Sequence, residues 1–159
     1  MKTLVAYFSA SGSTARLANT LAAAADAGLY EIKPAVPYER RDLNWMDKKS
    51  RSTVEMQDKS CRPALADTAA PVAEADVIFL GFPIWWYREP SIIDSFLDAY
   101  DFSGKTIVPF FTSGGSGLGD GQGRIEALAG GAKVLAGKRF SARASAQELK
   151  TWIAGLGLK

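Results

Sequence analysis

The stretch from Thr3 to Ala18, TLVAYFSASGSTARLA, constrains the fold more than any other. Leu4 to Phe8 is a short apolar run without polar alternation, which predicts a strand buried on both faces, as in the middle of a parallel sheet. Ser9 to Thr14 is small and hydroxyl-rich, and Ala15 to Ala25 is dense in the strong helix formers Ala and Leu. Strand, tight polar loop and helix start together make an anion cradle. Backbone N–H groups point outward at a helix N-terminus, the dipole favours negative charge there, and hydroxyls add donors. Ser13 or Thr14 could serve simply as a helix cap. A cap needs one or two such residues, however, and this loop has four hydroxyls and a glycine in six positions. Neither GxxxxGK[ST] nor GxGxxG occurs in the chain, so a phosphate here implies a mononucleotide on another kind of loop.

The length of 159 residues suits one domain with a sizeable core, spanning residues 1–159. A formal charge of +2, without a long basic run, gives no reason to expect nucleic acid. The chain has no histidine, which removes Ser-His-Asp triads, Cys-His dyads and His-ligated metals. Its single cysteine, Cys61, cannot form an internal disulfide, and an isolated thiol is ordinarily inert. The first apolar run is too short for a secretory core, and no segment approaches the roughly 18 apolar residues of a membrane span. A cytoplasmic protein with no membrane partner is expected.

Further along, Leu29 to Lys33 alternates like an edge strand and is closed by Pro34 and Pro37. Residues 38–62 form a polar surface excursion in which Trp45, Met46 and Met56 are isolated apolar groups. A helix over Asp42–Met56, capped by Asp42, is expected there, with Trp45 and Met56 covered because their exposure is costly. Ala64–Glu74 reads as helical up to Pro71, and Asp76–Phe82 as a second apolar strand. Pro90 opens a helix running to Tyr100. Thr106–Phe111 is a third apolar strand, in which Pro109 predicts a bulge or local irregularity. A glycine-rich loop follows, then a helix around Arg124–Leu128, a short strand at Ala132–Leu135, and a closing helix Ser145–Leu156 with Ser145 as cap and Glu148 three residues on.

Short apolar strands alternating with helices predict an α/β fold, a parallel sheet covered on both faces. Ligands of such sheets sit beyond the carboxyl ends of the strands at a topological switch point. Three unusual loops, starting at Ser9, Pro83 and Thr112, each follow the carboxyl end of an apolar strand, so all three should crowd one rim. The first offers phosphate donors. The second offers Trp85, Trp86 and Tyr87 in succession, and contiguous aromatics cannot all enter one core. The third is rich in glycine, so its backbone can approach a flat ring. A phosphate at one end and a planar heteroaromatic at the other describe flavin mononucleotide, FMN.

The residues Tyr7-Phe8-Ser9-Ala10-Ser11-Gly12-Ser13-Thr14, Gly81-Phe82-Pro83-Ile84-Trp85-Trp86-Tyr87 and Thr112-Ser113-Gly114-Gly115-Ser116-Gly117 resemble the loops of the flavodoxins, in particular small ones with a YFSxTGxT-type first loop. Parts of the excursion, Asp42–Trp45 and Ser52–Met56, resemble the same subgroup. The resemblance implies a three-layer sandwich with a five-stranded parallel sheet in the order 2-1-3-4-5. It implies a cofactor-binding set of Ser9, Ala10, Ser11, Gly12, Ser13 and Thr14 around the FMN phosphate. Pro83, Ile84, Trp85, Trp86 and Tyr87 would line the isoalloxazine, with Trp85 or Trp86 stacking on it, and Thr112, Ser113, Gly114 and Gly115 would meet its pyrimidine edge. The flavin carries the redox chemistry, so no catalytic side chain is needed.

Two departures shape the functional reading. Flavodoxins are commonly strongly acidic and this chain is slightly basic, so its redox partners should differ. Many flavodoxins also have a glycine in the second loop whose peptide flips on one-electron reduction, and none lies between Pro83 and Pro90. The expected function is electron transfer to redox partner proteins or a small-molecule acceptor. An NAD(P)H-dependent quinone reductase on the same fold is the second reading, and a flavin-free binding module the third.

Overall fold

The computed structural model describes residues 2–158. Its centre is the parallel sheet, because three of its strands are apolar on both faces. Strands β1 (Thr3–Tyr7), β3 (Val77–Pro83) and β4 (Thr106–Thr112) lie side by side with nearly every residue buried. Strand β2 (Gly28–Glu31) flanks β1 at one edge and is mostly exposed. At the other edge β4 pairs with two short pieces, β5 (Lys133–Val134) and β6 (Lys138–Arg139). The order is β2-β1-β3-β4-β5, with every pairing among these named strands parallel, as the resemblance implied. The fifth strand thus arrives as two fragments.

Pro109 explains the break. It stays in unbroken register with Leu80 on β3, so β4 itself has no bulge. The outward carbonyls of Ile107 and Phe111 accept from Leu135 and Phe140, which places the missing N–H of Pro109 on that same outer edge. There the neighbour is interrupted between β5 and β6, and Gly137 packs so closely that an added Cβ would lie 3.2 Å from the Pro109 Cβ. The irregularity predicted for β4 is therefore displaced into its partner, where no ladder bond is lost.

Alternating side chains build two cores. Val5, Tyr7, Val77, Phe79, Val108 and Phe110 face helix α1 (Ser13–Ala25) and helix α5 (Ala146–Gly155) through Leu17, Leu21 and Leu149. Leu4, Ala6, Phe8, Ile78, Leu80, Phe82 and Ile107 face helix α3 (Ser91–Ala99) and helix α4 (Gly121–Leu128) through Ile92, Ile93, Phe96 and Ile125. The result is a three-layer sandwich. Ser145 caps α5, its hydroxyl accepting from the Glu148 N–H at 3.1 Å.

Two expectations fail in the polar middle of the chain. The single helix over Asp42–Met56 is a 3-10 turn at Arg40–Leu43, capped by Glu39, and a separate helix α2 (Arg51–Gln57) capped by Ser50. Asn44 to Lys49 between them lacks the apolar spacing that would pay for continuous helix, and its Asn and Asp side chains bind the backbone locally instead. Ala64–Glu74 contains no helix: Leu65 bridges to Pro34, and Ala35 and Ala66 exchange backbone bonds with Ala64 and Lys33. Those strand-like bonds, with Pro71 beyond, outcompete alanine's helix propensity. Met56 is buried as expected, but Trp45 is 71% exposed.

Candidate functional site

The first, second and third loops do meet at one rim, and hydrogen bonds sew them together. Thr14 and Thr112, buried and distant in sequence, share a hydroxyl–hydroxyl bond of 2.9 Å. The Ile84 N–H donates to the Thr112 carbonyl at 3.0 Å. This bond uses one of the two hydroxyl protons and joins the first loop to the third.

Helix α1 begins with no side-chain cap. Gly12, at its N-cap position, has φ 96°, a left-handed conformation that L side chains rarely adopt, and its N–H turns back to Ser9 Oγ at 3.1 Å. Ser13 and Thr14 therefore do not act as the simple caps that a bland reading allows. The helix end is open, with Ser11 and Ser13 exposed beside it. That is the arrangement in which a helix N-terminus favours an anion.

From this end a cavity of about 340 Å³ runs along Ser11, Ser13, Pro83, Ile84, Thr112 and Ser113. Its far wall is Arg139, Phe140, Ser141 and Ala142, immediately after the split edge strand. It adjoins a second cavity of about 480 Å³ across Ile84 and Trp85, lined also by Trp86, Tyr87, Gly114 and Ser116. Leu43, Trp45 and Ser52 of the excursion complete that wall. The two cavities make one cleft, small and polar at one end and aromatic at the other. Ser9 and Ala10 face elsewhere, into a hollow of about 360 Å³ with Phe8 and Tyr38. Gly12, Thr14 and Gly115 line none of these cavities.

The aromatic loop is a tight hairpin. Trp85 and Arg88 exchange two backbone bonds, of 3.0 and 3.2 Å, around Trp86 and Tyr87. Both turn residues have positive φ, 48° and 63°. Such turns normally use Asn-Gly or Gly-Gly, and left-handed conformation costs other residues about 1–2 kcal/mol each. Trp85 is half-buried, held edge-to-face by Phe8 at 5.6 Å and Tyr38 at 5.4 Å. Trp86 and Tyr87 remain exposed at the tip. Gly119, at φ 57°, lies against the turn, because any Cβ there would overlap the Tyr87 carbonyl.

Beneath the hairpin lies a buried charge cluster that the sequence reading missed. The Arg88 guanidinium donates to the Met56 carbonyl at 3.1 Å and the Glu89 carbonyl at 3.1 Å, and lies 3.5 Å from Asp94 Oδ2. Arg124 bridges Glu89 Oε2 at 3.0 Å and Asp94 Oδ2 at 2.5 Å. Glu89 and Asp94 are wholly buried, and their other oxygens, Oε1 and Oδ1, have no donor among the described residues. The Asp94 side chain neighbours the Glu89 carboxyl in this dry site and disfavours its ionised form. Burial first, then Asp94, pushes the Glu89 carboxyl up to about 8. Nothing in local sequence reveals this cluster, since its members come from three separated segments.

The excursion is anchored from the same side. Tyr38 donates its hydroxyl to Glu55, and the Arg51 guanidinium sits 3.9 Å from the centre of the Tyr38 ring and 3.0 Å from Glu55 Oε2. Burial, then the Glu55 bond, pushes the Tyr38 phenol upward. This leaves Ser52 against the cleft, buried, with a hydroxyl that has no partner among the described residues. Burial, followed by Glu55 and Asp58, raises the Cys61 thiol, which argues against a reactive thiolate.

An uncapped helix end, an unpartnered buried hydroxyl and a cleft with polar and aromatic ends fit a flavin mononucleotide in size and chemistry. No helix among the described residues is long and apolar enough to cross a membrane, and no cluster of acidic and thiol groups there could hold a metal.

Known proteins agree on the family. The flavodoxin family model matches residues 2–156. A provisionally assigned flavoprotein from Bacteroides uniformis ATCC 8492 is 46% identical, with 96% of this chain and 97% of that one aligned and a TM-score of 0.91. A similar protein from Bacteroides eggerthii DSM 20697 is 41% identical over 99% of both chains, with a TM-score of 0.90. A Lactobacillus acidophilus NCFM flavoprotein solved in complex with FMN is 24% identical over 96% and 98% of the two chains, with a TM-score of 0.72. No curated protein matches the chain. With its strand order, its three joined loops and this match over nearly its whole length, the chain belongs to the flavodoxin family.

Proposed function

We propose that this protein binds FMN in the cleft and transfers electrons through it. The observation that carries this reading is the joining of three loops into one cleft, with anion chemistry at one end and aromatic faces at the other. FMN supplies the redox chemistry, and the chain supplies binding, orientation and exclusion of water. The open N–H groups of α1, with Ser11 and Ser13, hold the phosphate. Trp86 is the stacking partner for the ring, since the Trp85 ring already packs against Phe8 and Tyr38. The Ser52 hydroxyl offers a polar contact at the ring end. A cytoplasmic setting suits the single free thiol.

The excursion bears on partners. Residues 38–62 contain seven basic and five acidic side chains, so the chain's whole net charge of +2 resides there. Exposed Trp45, Met46, Trp86 and Tyr87 lie in or beside this basic segment and the cleft. The surface suits an acidic redox partner, unlike the basic partners that acidic flavodoxins dock.

One observation favours the second reading, an NAD(P)H-dependent reductase of quinones. The second loop has no glycine, and its turn is fastened by two backbone bonds, which opposes a peptide flip on one-electron reduction. The test is the visible spectrum of purified protein with FMN during slow anaerobic reduction. Two separate one-electron stages support the carrier. Direct two-electron bleaching, together with fast reduction by NADPH alone, supports the reductase. No bound flavin spectrum would overturn both.

A further inference from the structure

We propose that Arg139 is the phosphate-sensing residue of the cleft, selecting FMN over the unphosphorylated flavin, riboflavin. The inference rests on the flavin-binding reading above and adds a cationic side chain that no loop motif contains. Arg139 ends β6, the second fragment of the edge strand that Pro109 divides. It lines the same 340 Å³ cavity as Ser11 and Ser13 at the open end of α1. Its guanidinium is fixed in direction: Nε and Nη2 both donate to the Ser113 carbonyl, at 3.2 and 3.1 Å. No acidic side chain pairs with it among the described residues, whereas Arg88 and Arg124 beneath the aromatic turn are both committed to carboxylates.

An oriented, unpaired guanidinium in a cavity that also holds hydroxyls and a helix N-terminus is chemistry for a phosphate monoester. Arginine retains free N–H donors after its two bonds to Ser113, and its planar fork matches phosphate oxygens. The anchor has a second consequence. Ser113 belongs to the glycine-rich third loop, whose Ser113 hydroxyl also donates to the Ser116 carbonyl at 2.7 Å. Phosphate drawn to Arg139 therefore steadies the loop that borders the ring, linking the two ends of the cleft.

The experiment measures dissociation constants for FMN and for riboflavin by flavin-fluorescence quenching, in the wild type, Arg139→Ala and Arg139→Lys, at low and high salt. Arg139 is exposed, so the variants should fold, and circular dichroism checks this. Arg139→Ala should weaken FMN about tenfold, leave riboflavin within about twofold, and flatten the salt dependence of FMN binding. Arg139→Lys should restore part of the preference, because it keeps charge without the fork. Equal losses for both flavins would assign Arg139 a merely structural role and overturn the inference, as would unchanged FMN affinity. A wild type that binds neither flavin would overturn the FMN reading itself, which is a different result from wild-type binding that ignores Arg139.

Discussion

The two ends of the cleft are built by opposite means. At the phosphate end the chain uses small residues close together in sequence, an open helix terminus and exposed hydroxyls, and little is strained beyond a glycine suited to its conformation. At the ring end two aromatic residues occupy left-handed positions, and their hairpin rests on a buried cluster assembled from α2, α3 and α4. The first end is a local motif. The second is a strained turn held by remote contacts, and strain of this kind persists only where the surroundings over-determine it. Anion binding needs donors in one direction, which a strand–loop–helix junction supplies by itself. Presenting bare aromatic faces to a cleft needs an external brace.

The comparison breaks most severely at Arg88. Arg88→Ala leaves Asp94 with fewer partners and the Met56 carbonyl without its donor, so we expect a loss of about 3–5 kcal/mol in denaturant unfolding. The corresponding change at the phosphate end has no such cost.

Glu89 sharpens the contrast through pH. Its carboxyl titrates near 8 in the folded protein against 4.5 as a free group. Between those values the native state holds a proton that the unfolded chain has released. Stability from this group is therefore complete below pH 4.5 and is lost as pH rises towards 8. The slope should approach about 1.4 kcal/mol per pH unit. Glu89→Gln, whose amide does not titrate, should flatten that slope in thermal melts from pH 5 to 9. A slope that survives the substitution would locate the titration elsewhere.

Tyr87→Gly relieves the left-handed penalty at an exposed position. We expect a gain of about 1 kcal/mol in stability accompanied by weaker flavin binding, because a less specified turn presents Trp86 less firmly. Loss of stability would mean that the turn is not strained. The smallest stability effect belongs to Ser11→Ala, within about 0.5 kcal/mol of wild type, since its side chain is exposed. Its effect should appear only in FMN affinity.

Trp45 and Met56 show how far sequence reading reaches in the excursion. Both are isolated apolar residues in a polar stretch, and composition treats them alike. Met56 is buried under α3 near Ser91, whereas Trp45 lines the cleft and stays exposed. Met56 lies on α2, which Ser50 caps and Arg51 ties to Tyr38, whereas Trp45 lies in the turn between the two helical pieces. Arg139 and the Glu89–Asp94 pair were illegible for a related reason: each owes its surroundings to segments far away in the chain.

By itself the sequence determined the parallel sheet, its order through family resemblance, and the convergence of three loops. Apolar strands, helix formers and hydroxyl or glycine loops act over a few residues, and periodicity reports them directly. Only the tertiary structure decided that Pro109 breaks its neighbour rather than its own strand, that Thr14 binds Thr112 instead of staying free, and that two buried carboxyls lie beneath the aromatic turn. Those outcomes depend on which polar groups are brought together out of water, and burial pairs residues by position in space, not by distance along the chain.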